Sequence, residues 1–233
     1  MQVLHSLLVV MSLCLPGAAA AQRSPVVVEL FTSQGCSSCP PADLILADLA
    51  QLPGVIALAL HVDYWDYLGW RDTFGRPENT KRQRAYAKAV RERSVYTPQI
   101  IVQGVDRIVG GDRDLIMARI AEHQARPAPV ALDLEREDTV LNISLRPTEL
   151  AGVGPSEIYV VRFIAGETVS IEHGENAGHV IPYVNVVTEW SSLGQWDGRT
   201  PARFAVDLLG PENVAVILQR DLFGPVITAA TLR

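Results

Sequence analysis

Val26-Val27-Val28-Glu29-Leu30-Phe31 runs through Thr32-Ser33-Gln34-Gly35 into Cys36-Ser37-Ser38-Cys39, and an apolar stretch from Pro41 to Leu52 follows. The first run is almost wholly apolar and reads as a strand buried on both faces. In the last, Leu44, Ile45, Ala47, Leu49 and Leu52 recur close to helical spacing, and Pro53-Gly54 ends it. Between them, two cysteines with two residues between can close a small disulfide ring. A thiol at a helix start faces unpaired backbone N–H groups and the positive end of the dipole. Both lower its pKa and favour the attacking thiolate. Strand, turn, C-x-x-C and helix is therefore a layout suited to thiol–disulfide exchange.

Outward from that motif, the chain has three cysteines. Cys14 lies in an apolar leader, so Cys36 and Cys39 are expected to be the mature chain's only pair. Structural disulfide frameworks use more cysteines in longer loops. A structural zinc site needs a second C-x-x-C or a His pair, and the five histidines are scattered. Leu4 to Leu15 carries no charged side chain, Pro16-Gly17 breaks it, and Ala18 to Ala21 supplies small residues. Residues 1–21 thus read as a secretory signal peptide, with a core too short to span a bilayer. A periplasmic or secreted protein, not integral to the membrane after cleavage, is expected. The net charge of −6 argues against a nucleic-acid partner, which would need a basic face.

Further along, Val55 to Val62 reads as a second buried strand and Asn79 to Arg93 as a basic helix. Gln99 to Gln103 and Arg107 to Val109 flank a Gly104-Val105-Asp106 turn, and Asp112 or Asp114 caps a helix to about His123. The β-α-β-α-β-β-α order predicts an α/β domain with a mixed sheet over 24–126. Arg126-Pro127-Ala128-Pro129 is the predicted boundary. Short strands at Val130 to Leu134, Val140 to Leu145, Ile158 to Phe163, Thr168 to Ile171, Val184 to Trp190, Ala202 to Val206 and Val214 to Gln219 predict a sandwich-like β-rich module over 130–233.

That element order, with C-x-x-C at the first helix and Thr97-Pro98 just before Gln99-Ile100-Ile101-Val102, resembles the thioredoxin fold. The chain is also similar to a secreted bacterial family of thioredoxin-like proteins catalogued as a domain of unknown function. Val28 to Asp43, His61 to Trp70, Tyr96-Thr97-Pro98-Gln99, Gly174 to Gly178 and Tyr183 to Val187 carry this similarity. The resemblance implies a cis Pro98 beside the cysteine pair. It also implies Glu29 as a buried acid that could relay a proton to Cys39, although a strand-end glutamate bonded to backbone or an arginine reads equally well.

The expected roles follow. Cys36, at or near the helix N-cap, is the nucleophile, and Cys39, one turn in, resolves the mixed disulfide. Trp65 and Trp70, in the aromatic run Asp63 to Trp70, are candidate substrate-binding residues together with Tyr96, or else core aromatics. The basic run Lys81 to Arg93 reads as a solvated helix face, Gly174 to Gly178 as a turn at a domain interface, and His61 as a strand residue facing a helix. No organic cofactor or metal is expected. The partners are protein or peptide thiols and disulfides. The alternatives are a binding protein that keeps the fold, and a copper(I) chaperone using Cys36, Cys39 and His61, for which no Met cluster speaks.

Overall fold

The computed structural model describes residues 23–148 and 152–232; the predicted leader, 1–21, lies outside the described residues. β1 (Val26–Thr32) and β2 (Val55–His61) are the buried apolar runs, and they pair in parallel from Val26↔Val55 to Thr32↔His61. A parallel pair needs a crossover, supplied by α1 (Pro40–Leu49). A short 3₁₀ turn (Asp66–Leu68) and α2 (Pro77–Ala89) follow, then β3 (Gln99–Val102), β4 (Asp106–Val109) and α3 (Arg113–Gln124). Asp112 caps α3 by accepting from the Leu115 N–H at 3.1 Å. The predicted helix of α1 runs three residues long, and its stripe is rotated: Leu46 and Leu49 are buried whereas Leu44 is exposed.

After the proline-rich segment the regular elements among the described residues are all strands: β5 (Val130–Glu137), β6 (Val140–Pro147), β7 (Ser156–Ser170), β8 (Val180–Trp196), β9 (Ala202–Asp207), β10 (Asn213–Arg220) and β11 (Val226–Leu232). These strands do not keep to themselves. One eight-stranded mixed sheet has the order β11-β10-β7-β8-β2-β1-β3-β4, while β5, β6 and β9 form a separate antiparallel sheet. The seam is parallel pairing of β8 with β2 at Ala59↔Val186, extended by the Asn185 amide, which donates to the Ala57 carbonyl at 2.8 Å. The two predicted modules therefore share a sheet across the Pro127–Pro129 break.

The predicted strands Ile158 to Phe163 and Thr168 to Ile171 are one long strand, because Gly166 pairs with Val184 and does not interrupt the ladder. Three cores result. α1 and α3 cover one face of β1–β3 (Val28, Leu30, Leu46, Ile100, Ile116) and meet Ile181 and Tyr183 of β8. α2 covers the other face with Phe31, Tyr86 and Ile101, continuous with Phe163 and Ile217. The three-stranded sheet packs Leu132, Leu141 and Ile143 on Ile158, Val216 and Leu218, which makes the sandwich at the far end of the large sheet.

Candidate functional site

β1 ends at Thr32, and the chain turns through Ser33 to Cys39 before α1 begins. Cys36 and Cys39 are joined by a disulfide, Cα atoms 5.4 Å apart. Cys39, not Cys36, is the N-cap of α1, so the expected placement shifts: Cys36 lies in the turn before the helix. The first two helical positions are Pro40 and Pro41, which have no N–H. The Ala42 and Asp43 N–H groups both donate to the Cys39 carbonyl, at 2.8 and 3.1 Å. The unpaired donors expected to stabilise a thiolate are thus absent or engaged, and the helix dipole is left. Cys36 is 3% exposed and Cys39 fully buried, with Ser37 and Ser38 exposed between them. The Ser38 hydroxyl lies 3.5 Å from the Cys36 Sγ.

The Thr97-Pro98 bond is cis. Pro98 and Ala42, in the first turn of α1, both press on Gly110, where an added Cβ would lie 2.8 Å from each. Thr97 is tied to the cysteine turn through Trp65. The indole N–H of Trp65 donates to the Thr97 hydroxyl at 2.8 Å, and Trp65 packs on Gly35. Trp65 is half-buried and stacks on exposed Tyr67, ring centroids 6.4 Å apart, while Tyr96 is exposed beside Thr97. Trp70, on the other flank, is half-buried and donates to the Gln34 side chain at 2.8 Å. Cys36, Cys39, Thr97, Pro98, Trp65 and Trp70 are thereby gathered around one turn.

Glu29 is not with them. Side chains alternate along a strand, and Glu29 points to the α2 face with Val27 and Phe31, opposite to α1. There it accepts from Arg82 at 2.6 and 2.9 Å and from the Tyr86 hydroxyl at 2.6 Å. Of the two readings of this residue, the arginine partner is the observed one.

Three contributors lay outside the sequence reasoning. Asn176, in the β7–β8 hairpin tip read as an interface turn, is buried and donates to the Gln34 and Cys36 carbonyls at 2.9 and 3.0 Å. Asp72 accepts from the Gln34 N–H at 2.8 Å, the Phe74 N–H at 2.8 Å and His61 Nδ1 at 2.8 Å. Burial pushes the Asp72 carboxyl up, but His61 and these donors outweigh it, and its pKa is lowered. Asp43 is an acid on the buried side of α1, and burial raises it to about 7. The one signal in the sequence was an aspartate four residues past Cys39, on a helix otherwise apolar on its inner side. Among the described residues no group of three or more His, Cys, Asp or Glu is placed to hold a metal, and His61 is not gathered with the cysteines into such a set. No helix there is long and apolar enough to cross a membrane.

Residues 27–219 match the family described as "Protein of unknown function (DUF1223)". A crystal structure of an Agrobacterium tumefaciens protein is similar at 33% identity and TM-score 0.77, over 91% of this chain and 96% of that one. HBP35 of Porphyromonas gingivalis is similar in fold, at 15% identity and TM-score 0.62, over 90% of this chain and 75% of that one. Comparison with curated proteins gives no match.

Proposed function

The chain belongs to the DUF1223 family, and we propose that it is an exported thiol–disulfide oxidoreductase with a thioredoxin-like amino-terminal half, acting on protein or peptide disulfides. The observation that carries this reading is the Cys36–Cys39 disulfide at the start of α1 with Pro98 packed against the same helical turn. The local sheet order β2-β1-β3-β4, with β1 parallel to β2 and antiparallel to β3, supports the thioredoxin-like assignment. Closing a four-residue ring removes little unfolded-state entropy, so stabilisation alone is a poor reason for the bond.

The chemistry is a balanced exchange. In the reduced protein the Cys36 thiolate attacks a substrate disulfide, forming a Cys36–substrate bond and expelling one substrate thiolate, which takes up a proton. Cys39 then loses its proton and attacks the Cys36 sulfur, and the second substrate thiolate leaves. The substrate gains two electrons, and an external dithiol must reduce Cys36–Cys39 again. Pro40 and Pro41 remove two thiolate-stabilising donors, and the Ser37-Ser38 dipeptide adds no cation. Both features favour a reductant or isomerase over a strong oxidant. Trp65, Tyr67 and Tyr96 would bear an extended substrate beside Thr97.

The burial of Cys36 favours a second reading, a binding module whose disulfide is closed off from exchange. Equilibration with glutathione and disulfide-reduction turnover by wild type and Cys36→Ser separate the two. The enzyme reading expects a potential in the reductant or isomerase range and turnover lost in Cys36→Ser. A disulfide that resists reduction, with no turnover, would leave the binding module.

A further inference from the structure

Beneath the cysteine turn lies a set of buried polar atoms that the exchange scheme has not yet used. Asp43 is four residues beyond Cys39 on α1, and such residues are neighbours on one helix face, with Cβ atoms about 5–6 Å apart. Asp43 is 5% exposed, and among the described residues neither carboxyl oxygen has a hydrogen-bond partner. The Thr32 hydroxyl and His61 Nε2 are also buried without partners, and Thr32 and His61 are cross-strand neighbours at the ends of β1 and β2. His61 lies close enough to act electrostatically on Asp43, and the Thr32 side chain adjoins it without a hydrogen bond between them. Four orphaned polar atoms from three adjoining side chains are a costly arrangement in a core where such groups are nearly always paired.

Every element packed on Asp43 defines its surroundings. α1 presents Cys39, β1 Thr32, and β2 His61; the loop before α2 presents Asp72, and β8 presents Tyr183, whose ring lies 4.8 Å from that of His61. Asp72 is held as a carboxylate by two backbone N–H groups and accepts a hydrogen bond from His61 Nδ1–H. The unpartnered Nε2 is therefore the nitrogen free to share a proton inside the chamber. Glu29, on the opposite face and saturated by Arg82 and Tyr86, cannot serve Cys39.

We propose that Asp43, set by the His61–Asp72 pair, is the proton acceptor and donor of Cys39. This rests on the oxidoreductase reading. When Cys39 resolves the mixed disulfide, its thiol proton passes to the Asp43 carboxylate. When the Cys36–Cys39 bond is reopened, Asp43 returns that proton to the departing Cys39 thiolate. Burial raises Asp43 to about 7, so near neutral pH both forms are populated, as a two-way shuttle requires.

The test uses reduced full-length protein mixed with 5,5′-dithiobis(2-nitrobenzoate) in a stopped-flow instrument across pH 5.5–9. Attack by Cys36 releases one thionitrobenzoate, and resolution by Cys39 releases the second. In wild type the second phase should show an inflection near pH 7. Asp43→Asn should abolish that inflection and slow the second phase about a hundredfold at pH 7, with the first phase retained. His61→Gln, which removes a group that lowers Asp43, should move the inflection upward. A second phase in Asp43→Asn as fast as wild type and with the same pH profile would overturn the assignment. So would a wild-type second phase with no inflection near 7, a result that needs no variant to fold. Absence of even the first release would overturn the exchange reading itself, and this inference with it.

Discussion

Arg82→Met tests the reading of the α2 face in the most direct way. Arg82 is buried against Glu29, contacts the Tyr86 hydroxyl and Gln219 at 2.8 and 3.1 Å, and places its guanidinium 3.6 Å from the Trp190 ring centroid. Burial works against the charge, but Glu29 and Tyr86 outweigh it, and the arginine pKa is raised. Methionine keeps much of the alkyl bulk and removes the cation. Glu29 then keeps one donor, Tyr86, for a carboxylate with no exposure. Breaking a buried pair from one side costs about 3–5 kcal/mol, and the lost cation–π contact overlaps with that figure without adding fully. We expect a loss of about 4 kcal/mol, read in urea as a midpoint lowered by about 1.5–2 M at unchanged slope. Glu29→Gln combined with Arg82→Met should recover more than half of the loss, because no charge is then stranded. An Arg82→Met variant within about 1 kcal/mol of wild type would refute the account, as would a double variant no better than the single one.

Two further outcomes bear on the cysteine turn. Asp43 is raised from 3.8 to about 7, so between those values the folded chain holds a proton that the unfolded chain has released. Its contribution makes stability fall as pH rises through that window and level off above it, by up to about 4 kcal/mol. Asp43→Asn should remove this slope and be the more stable protein at pH 8, whereas parallel stability–pH curves for the two proteins would count against the assignment. Asn176→Ala withdraws the donor shared by the Gln34 and Cys36 carbonyls, which should cost about 2 kcal/mol and speed reduction of the disulfide by dithiothreitol. Unchanged stability together with unchanged reduction rate would show that the hairpin tip does not hold the turn.

The sequence was most legible where local pattern and tertiary role coincide. Val26 to Phe31, Val55 to Val62 and the Gly104-centred hairpin emerge as strands with ends within a residue or two, because buried apolar runs and turn residues act locally. It was least legible where pairing partners decide. β11, with two Ala and two Thr in seven residues, has little apolar signal of its own and is a strand through its ladder with β10. The union of the two halves turns on Ala59, Val186 and Asn185, three residues that no periodicity marks. At the site, the cysteines, Pro98 and Trp65 were legible as a motif. The Glu29 ambiguity was a matter of strand phase: one residue either way exchanges the faces of the sheet, and only the position of Arg82 resolves it. Asn176 and Asp72 were invisible because their work is done on backbone atoms far away in the chain.

The Asn176 clamp also has a meaning in time. Its two acceptors were made 142 and 140 residues earlier than the amide that holds them, and chains generally fold from the amino terminus as they are synthesised. A growing chain therefore carries its cysteine pair without this clamp until Asn176 has been made. An oxidant that joins Cys36 to Cys39 before the hairpin forms meets a more open turn than an exchange partner of the proposed kind would meet later. Under the proposed exchange role, formation and use of this bond would be governed by different accessibilities within one polypeptide.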